Sequence, residues 1–318
     1  MNKKLPILLM VFNRPNLTKK VFAKIKKYKP EKLYIACDGP RKENVNDLVL
    51  NQEVKNIFKN INWKCKVYKS YSKNNLGIKK RTVKSYRWFF SKEEKGIILE
   101  DDCLAHPDFF KYCEILLEKY KNEKKILMIN GNNFQDGKRR GKYSYYFSEY
   151  YSTYGWAGWK RTLKSYDENM SSWPQWKKSN DWKKFQKKFY NKEATYWNEI
   201  FDKTYKGIIK TWDYQFMLSL WQNKQVVITP NKNLTSHIGL GVNATNSTSK
   251  KPGIPLSPIG FPLKHPLKIK VNEKADRYSF MFMPYQGIFL YFPFNLLSFF
   301  YKKCFKKPFI SLFYPYCD

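Results

Sequence analysis

An α/β fold with a mostly parallel central sheet flanked by helices is the class this sequence predicts. Three observations carry that prediction. Apolar runs alternate with helical patterns at roughly 30-residue spacing over the first hundred residues, the rhythm of βαβ units. Polar clusters stand at the ends of three of those runs, Asn13-Arg14, Asp38-Gly39 and Glu100-Asp101-Asp102, where open sheets of this kind bind ligands. At 42% hydrophobic and 18% aromatic, 318 residues can also bury a real core.

LPILLMVF (5–12) reads as a buried strand, NRPNL as a turn, and 16–28 as a helix. The same apolar run follows two Lys and so suggests a signal peptide. It is short, contains Pro6 and lacks a small-residue cleavage site, so a strand explains it better. LYIACD (33–38) is a second strand, ended by the turn DGP. Residues 46–59 are amphipathic, with Val49, Val54, Ile57 and Phe58 on one side. KCKVYKS (64–70) alternates as a strand does, NNLG opens a helix through SYRWFF, and GIILE (96–100) is the fourth strand. Right-handed crossovers should join them. Pro107 begins a helix to about residue 121, and ILMING (126–131) is another strand. The stretch 143–222 is aromatic and irregular, VVITP (226–230) is a late strand, and 231–263 reads as a long loop of the kind that often forms a lid.

The formal charge is +34, from 60 Lys and Arg against 26 Asp and Glu. Such a chain should meet anions: nucleic acid, acidic membrane or phosphate-bearing small molecules. Only eight of the 60 basic residues are Arg, the side chain whose fork reads bases, which argues against sequence-specific DNA binding. A solvated Lys coat accounts for much of the excess equally well. The six Cys show no CxxC spacing and read as reduced, mostly buried thiols.

Against that background, three consecutive acids at the end of an apolar run need a reason. Glu100 and Asp102 should share one side of the strand and Asp101 the other, until the chain turns. Adjacent like charges repel, and a hard divalent cation resolves the conflict while keeping water and substrate phosphate as its other ligands. The competing reading is that the acids favour the dipole of the following helix. That explains one acid more easily than three.

Several blocks together resemble the GT-A glycosyltransferases, which use a nucleotide-sugar donor and a divalent metal. The likeness is to the N-acetylglucosaminyltransferase I type and to bacterial, haemolysin-like sugar transferases. SYRWFF followed by EDDCLAHPDFF, then MINGNNFQDG, YGWAGWKRTLKSYD and KTWDYQFM, stand in that family's order. The likeness spans roughly residues 5–250 at motif level, and EDD with PDFF is its most specific part.

The resemblance implies a GT-A domain over 1–265, its nucleotide-binding half at 1–105 and an aromatic-rich acceptor half at 106–265, then a C-terminal extension at 266–318. It implies Asp102 as a direct ligand of Mn²⁺ or Mg²⁺, with Glu100 and Asp101 on the sugar and ribose of a UDP-sugar. Asp38 would meet the uracil or ribose edge, Arg14 the nucleotide and Arg81 the diphosphate. Asp38 and Arg14 also read as plain turn residues, and Lys79 and Lys80 compete with Arg81. Asp213 matches the family's general base, an inverting role, although it is equally well placed as a helix N-cap. His237 is a second metal candidate, since GT-A enzymes often supply a late His; a hydrogen-bonded structural His is the alternative.

Eight of the ten Trp lie in the middle region, where core packing competes with stacking on sugar. Trp156 and Trp212 are the two expected near the donor, because their neighbours match the family. Residues 288–301 are almost wholly apolar and lead into KKCFKK. Fourteen residues are too few to cross a bilayer as a helix. They suit either an anionic membrane surface, through 288–307, or packing on the domain.

The expected function is metal-dependent, inverting transfer of a sugar from a nucleotide-sugar to a saccharide or lipid-linked saccharide, in surface-glycan synthesis. The expected location is cytoplasmic, peripheral on the inner face of the membrane, with no N-terminal anchor and no specific nucleic-acid partner. The rivals are a sugar-phosphate nucleotidyltransferase, which wants a Gly-rich phosphate loop that NRPNL is not, and a non-enzymatic basic protein binding nucleic acid or membrane.

Overall fold

The computed structural model describes residues 4–189, 193–239 and 253–282. The tail segment 288–307 lies outside the described residues. Among those described, no helix is long and apolar enough to cross a membrane.

The predicted alternation is present. It runs β1 (Ile7–Val11), α1 (Pro15–Tyr28), β2 (Lys32–Cys37), α2 (Val45–Asn56), β3 (Lys66–Tyr71), α3 (Ile78–Phe90) and β4 (Lys95–Glu100). After the acids come β5 (Cys103–Ala105), α4 (Pro107–Lys119), β6 (Ile126–Asn130), β7 (Tyr145–Ser148) and β8 (Trp156–Trp159). Then follow α5 (Trp173–Lys178), α6 (Asn180–Gln186), α7 (Glu193–Tyr205), α8 (Tyr214–Gln222), β9 (Val226–Pro230), β10 (Thr235–His237) and α9 (Glu273–Phe282).

Eight strands form one sheet in the order β3-β2-β1-β4-β8-β6-β9-β7, and β5 pairs with β10 in a separate ribbon. The pairs β1–β2, β2–β3, β1–β4 and β6–β9 are parallel. β8 runs antiparallel between β4 and β6, and β7 runs antiparallel on β9. The fold class is therefore as predicted: mixed α/β, with helices on both faces of a largely parallel sheet.

The period of two in β1 decides which face each side chain serves. Ile7, Leu9 and Val11 point into a core with α1 and α4, while Leu8 points into a second core with α3 and α8. Helix α1 starts on Pro15, whose fixed φ suits a first helical position. It ends where Lys29 turns left-handed, at φ 57°, with Pro30 next. Its buried residues Thr18, Val21, Phe22 and Ile25 follow helical spacing. Among the described residues Cys37, Cys65, Cys103 and Cys113 are free thiols, and all but Cys65 are buried, as expected.

Three expectations need correction. In α2 and the turn after it, Val54 and Phe58 are buried but Val49 is 61% exposed. The inner face there is taken by Asp47 and Asn51. Asp47 accepts from Asn13 and Arg41, and Asn51 donates to the carbonyls of Phe12 and Asp38. Hydrogen bonding to the loops after β1 and β2 outranks apolar spacing. The region 143–222 is not irregular: it forms two strands and four α-helices, most of its aromatics packing in the second core while Tyr145, Phe147 and Trp159 join the first. Residues 231–263 hold a strand, β10, and the part at 240–252 lies outside the described residues.

Candidate active site

Parallel pairing of β1 with β4 puts Met10 opposite Glu100. The chain leaving β1 therefore passes beside the chain leaving β4. The strand stops at Glu100, and Asp101 and Asp102 lie in a turn. The alternation expected along the strand therefore ends at Glu100, where the chain turns. Asp101 and Asp102 both reach Arg14, and Glu100 stands apart.

Arg14 spans the two acids. One guanidinium nitrogen pairs with Asp101 Oδ1 and the other lies 2.8 Å from Asp102 Oδ2. Phe12 N–H adds a 3.3 Å bond to Asp101 Oδ2. Arg14, expected at the nucleotide, has its fork on the two acids in this structure. Burial by itself would lower the Arg14 pKa, but the charges of Asp101 and Asp102 outweigh it and raise it.

The β5–β10 ribbon delivers His237. Cys103 pairs with His237, and Ile238 N–H donates to the Asp102 carbonyl at 2.8 Å. Nε2 of His237 then stands 3.2 Å from Asp102 Oδ2, and the Tyr154 ring lies 4.8 Å from the imidazole, centroid to centroid. Glycine makes this approach feasible. A Cβ on Gly239 would sit 2.6 Å from Asp102 Oδ2 and 2.8 Å from Arg14 Nη1.

Burial works against ionising Asp102, but the hydrogen bond to His237 and the charge of Arg14 win and hold it down at about 2. Burial dominates for Asp101, holding it up at about 6 despite Arg14. Glu100 has no hydrogen-bond or ion-pair partner among the described residues. Burial, then the charges of Asp102 and Asp101, push its pKa well above the carboxylate range. Asp213 lies near enough for its charge to raise Glu100 further. Asp213 caps α8, accepting from Tyr214 N–H at 3.1 Å and from the Thr211 hydroxyl. Burial raises its pKa against those bonds. The cap and the proximity to the acids hold together.

Whether a divalent cation suits these residues can be tested on Asp102 and His237. Ligands on neighbouring octahedral positions, with bonds of about 2.1 Å, stand about 3 Å apart. The 3.2 Å between Asp102 Oδ2 and His237 Nε2 is a hydrogen bond in this structure, and once that proton is lost the two atoms would stand at about that spacing. One carboxylate oxygen and one imidazole suit Mn²⁺ well, and Mg²⁺ less so. Among the described residues no group of three or more such ligands forms. Two protein donors leave the remaining positions to water and phosphate oxygen, which is how these ions bind nucleotides.

Asp38 stands at the end of β2, buried, with both oxygens taken by the backbone N–H groups of Gly39, Leu76 and Gly77. It pins the loop that enters α3. Burial raises its pKa despite those bonds. Arg81, in the first turn of α3, turns inward to the carbonyl and hydroxyl of Ser70. Its Nε is buried without a partner, and burial lowers its pKa. Trp156 and Trp212, expected near the donor, are buried side chains in this structure. Trp156 is 0% exposed and Trp212 5%, both packed on Tyr86 and Phe216 under the rim. Trp156 enters the core because β8 is an interior strand, and Trp212 packs in from the loop before α8.

Sequence reasoning passed over Tyr151, Tyr154 and Thr211. Tyr151 donates its hydroxyl to the Asp213 carbonyl. The aromatic run before YGWAGW was visible, but nothing in it separated these tyrosines from the core aromatics around them.

No protein-family model matches the chain, and no curated protein matches it. Two solved structures are similar in outline. One is residues 1–349 of TarS from S. aureus, at 11% identity and TM-score 0.40, covering 73% of this chain and 59% of that one. The other is 4-diphosphocytidyl-2C-methyl-D-erythritol synthase from Anaerococcus prevotii DSM 20548, at 9% identity and TM-score 0.29, covering 70% of this chain and 99% of that one. Likeness at this level carries nothing about chemistry.

Proposed function

We propose that the chain is a metal-dependent, inverting glycosyltransferase of the GT-A type, moving a sugar from a nucleotide-sugar, UDP-linked by preference, to a saccharide hydroxyl. The observation that carries the reading is the meeting of Asp102 with His237 at the carboxyl rim of the sheet, with the Asp213 carboxylate close by. The motif resemblance to the N-acetylglucosaminyltransferase I type supports the same roles. It does so independently of the two structural likenesses.

In this reading Asp213 accepts the proton of the acceptor hydroxyl as that oxygen attacks the anomeric carbon. The bond from the anomeric carbon to the diphosphate oxygen breaks on the opposite side, and the configuration inverts. A carboxylate whose burial raises its pKa is a better base near neutral pH than a fully solvated one. Asp102 and His237 would hold the cation, whose contribution when bound is to neutralise charge gathering on the leaving nucleoside diphosphate. Arg14 keeps Asp101 and Asp102 ionised and fixed in place. Glu100, unpartnered and disfavoured as an anion, is placed to share a proton with a hydroxyl of the donor.

Purified protein incubated with UDP-glucose, UDP-galactose and UDP-N-acetylglucosamine should release UDP only when Mn²⁺ or Mg²⁺ is present. Release of pyrophosphate from a nucleoside triphosphate and a sugar phosphate would instead indicate a nucleotidyltransferase. Neither reaction, with no metal-dependent binding of any of the three donors, would overturn the proposal.

A further inference from the structure

A second polar feature lies on the same rim, two strands from the acids. Ile98 of β4 and Asn130 of β6 both pair with Trp156 of β8. The end of β6 is thus level with the end of β4, about 10 Å away across β8. Asn132 follows Asn130 by two residues, as Glu100 follows Ile98. At this point the chain lines a small pocket. Its other walls come from Tyr146 and Ser148 of β7, Thr229 of β9 and Ser279 of α9.

Three properties of this pocket point to a ligand. Asn132 is only 3% exposed, yet both its Nδ2 and its Oδ1 lack a hydrogen-bond partner. Its neighbours are satisfied: Asn130 donates to Thr229 at 3.0 Å, and Asn133 accepts from Gln135 N–H at 2.8 Å. A buried amide with both ends unpaired is rare, because each end has lost its water. Next, no Asp, Glu, Lys, Arg or His lines the pocket, in a chain with 60 basic and 26 acidic residues. A charged ligand would find no counter-charge there. Finally, Tyr151 forms part of the wall while its hydroxyl holds the Asp213 carbonyl, so the pocket adjoins the loop that carries the candidate base. The empty space is about 250 Å³ when the part open to solvent is counted, and the enclosed part holds about one water-sized group.

We infer that this pocket seats a hydroxyl-bearing arm of a neutral saccharide acceptor, with Asn132 as its reader. A primary amide offers one donor edge and one acceptor edge, which match the two faces of a hydroxyl or two adjacent hydroxyls. A site built to hydrogen-bond a hydroxyl also discriminates strongly against analogues that lack it. The enclosed space fits one substituent rather than a whole ring, so the rest of the acceptor lies outward, toward Asp213. This inference rests on the glycosyltransferase reading for the word acceptor. It does not rest on it for the chemistry of the pocket.

The test uses the full chain and three probes: the methyl glycosides of glucose, galactose and N-acetylglucosamine. Binding is followed by saturation-transfer NMR, alongside Mn²⁺-dependent UDP-sugar cleavage by the same preparations. At least one glycoside should bind the unaltered protein. Asn132→Leu and Asn132→Asp should each weaken that binding about tenfold or more. Asn132→Leu should not lower the melting temperature, since it removes an unpaired amide. Should the Leu variant fail to fold, the near-isosteric Asp variant decides alone. No glycoside bound, or binding unchanged within about twofold in the variants, would overturn the inference and mean that the pocket holds water only. Donor cleavage without Asn132-sensitive glycoside binding leaves the transferase reading standing and removes the pocket. Asn132-sensitive binding without any donor cleavage does the reverse.

Discussion

Replacing Arg14 with Met tests the electrostatic centre of the site. The guanidinium is the shared partner of Asp101 and Asp102, whose side chains are only 3% and 7% exposed. Met keeps most of the stem and removes the charge. Two carboxylates, buried and adjacent, then lose their counter-charge. Breaking a buried pair from one side costs about 3–5 kcal/mol. An unfolding entropy of about 2.1 cal/mol/K per residue turns this into a fall of about 4–8 °C in melting temperature for a chain of 318 residues. Differential scanning fluorimetry at neutral pH and low salt reads that directly. Mn²⁺ should raise the melting temperature of R14M more than that of the parent, because a divalent cation on Asp102 and His237 restores the missing positive charge. A variant that melts within about 1 °C of the parent would show that Arg14 does not stabilise the acids. Equal Mn²⁺ shifts in both proteins would show that the cation binds elsewhere.

Asp213→Asn should keep Mn²⁺-dependent donor binding and slow transfer by about 10²–10⁴-fold, the usual worth of a general base; loss of donor binding would mean the base has been misplaced. Gly239→Ala should disturb Asp102 and Arg14 together, since a Cβ there lies 2.6 Å from Asp102 Oδ2, and the apparent Mn²⁺ affinity should fall without a matching loss of secondary structure. Trp156→Ala should behave as a core deletion, costing about 3–5 kcal/mol in denaturant titrations, with no sugar-dependent change in tryptophan fluorescence traceable to that ring. Asp276 gives a pH prediction. Burial, then the charges of Glu149 and Glu193, hold its pKa at about 7 in spite of bonds from Ser148 and Glu149 N–H. The folded value exceeds the unfolded one, so its contribution favours folding at acid pH and is lost as pH rises from about 4 to about 7. Asp276→Asn should flatten the stability profile across that window and raise stability above it.

The first hundred residues were legible because local pattern and tertiary role coincide there. β1, β2 and β4 are buried on both faces and read as apolar runs, β3 alternates as a less buried strand does, α1 and α3 show a 3.6-residue stripe, and Pro and Gly punctuate the joins. The EDD cluster was legible for the opposite reason: it breaks the pattern, and repulsion between neighbouring carboxylates demands a partner. A protein partner, Arg14, was not foreseen. Arg14 lies 87 residues away from Asp101 along the chain and meets it only through the β1–β4 register, which no local pattern encodes.

The aromatic middle resisted reading because a Trp serves a core and a sugar platform with the same chemistry. The choice between them is made by which face of which strand it occupies, and β8 is a strand inserted antiparallel between two others. Its Gly158 allows Trp156 to lie close, where a Cβ would meet the ring at 2.9 Å. So the Gly-Trp block marks the site without touching it. It sets the spacing between β4, which leads into the acids, and β6, which leads into Asn132. If the two ends serve donor and acceptor, then the interior Trp are what hold them one strand apart, and trimming Trp156 should weaken both functions together rather than either alone.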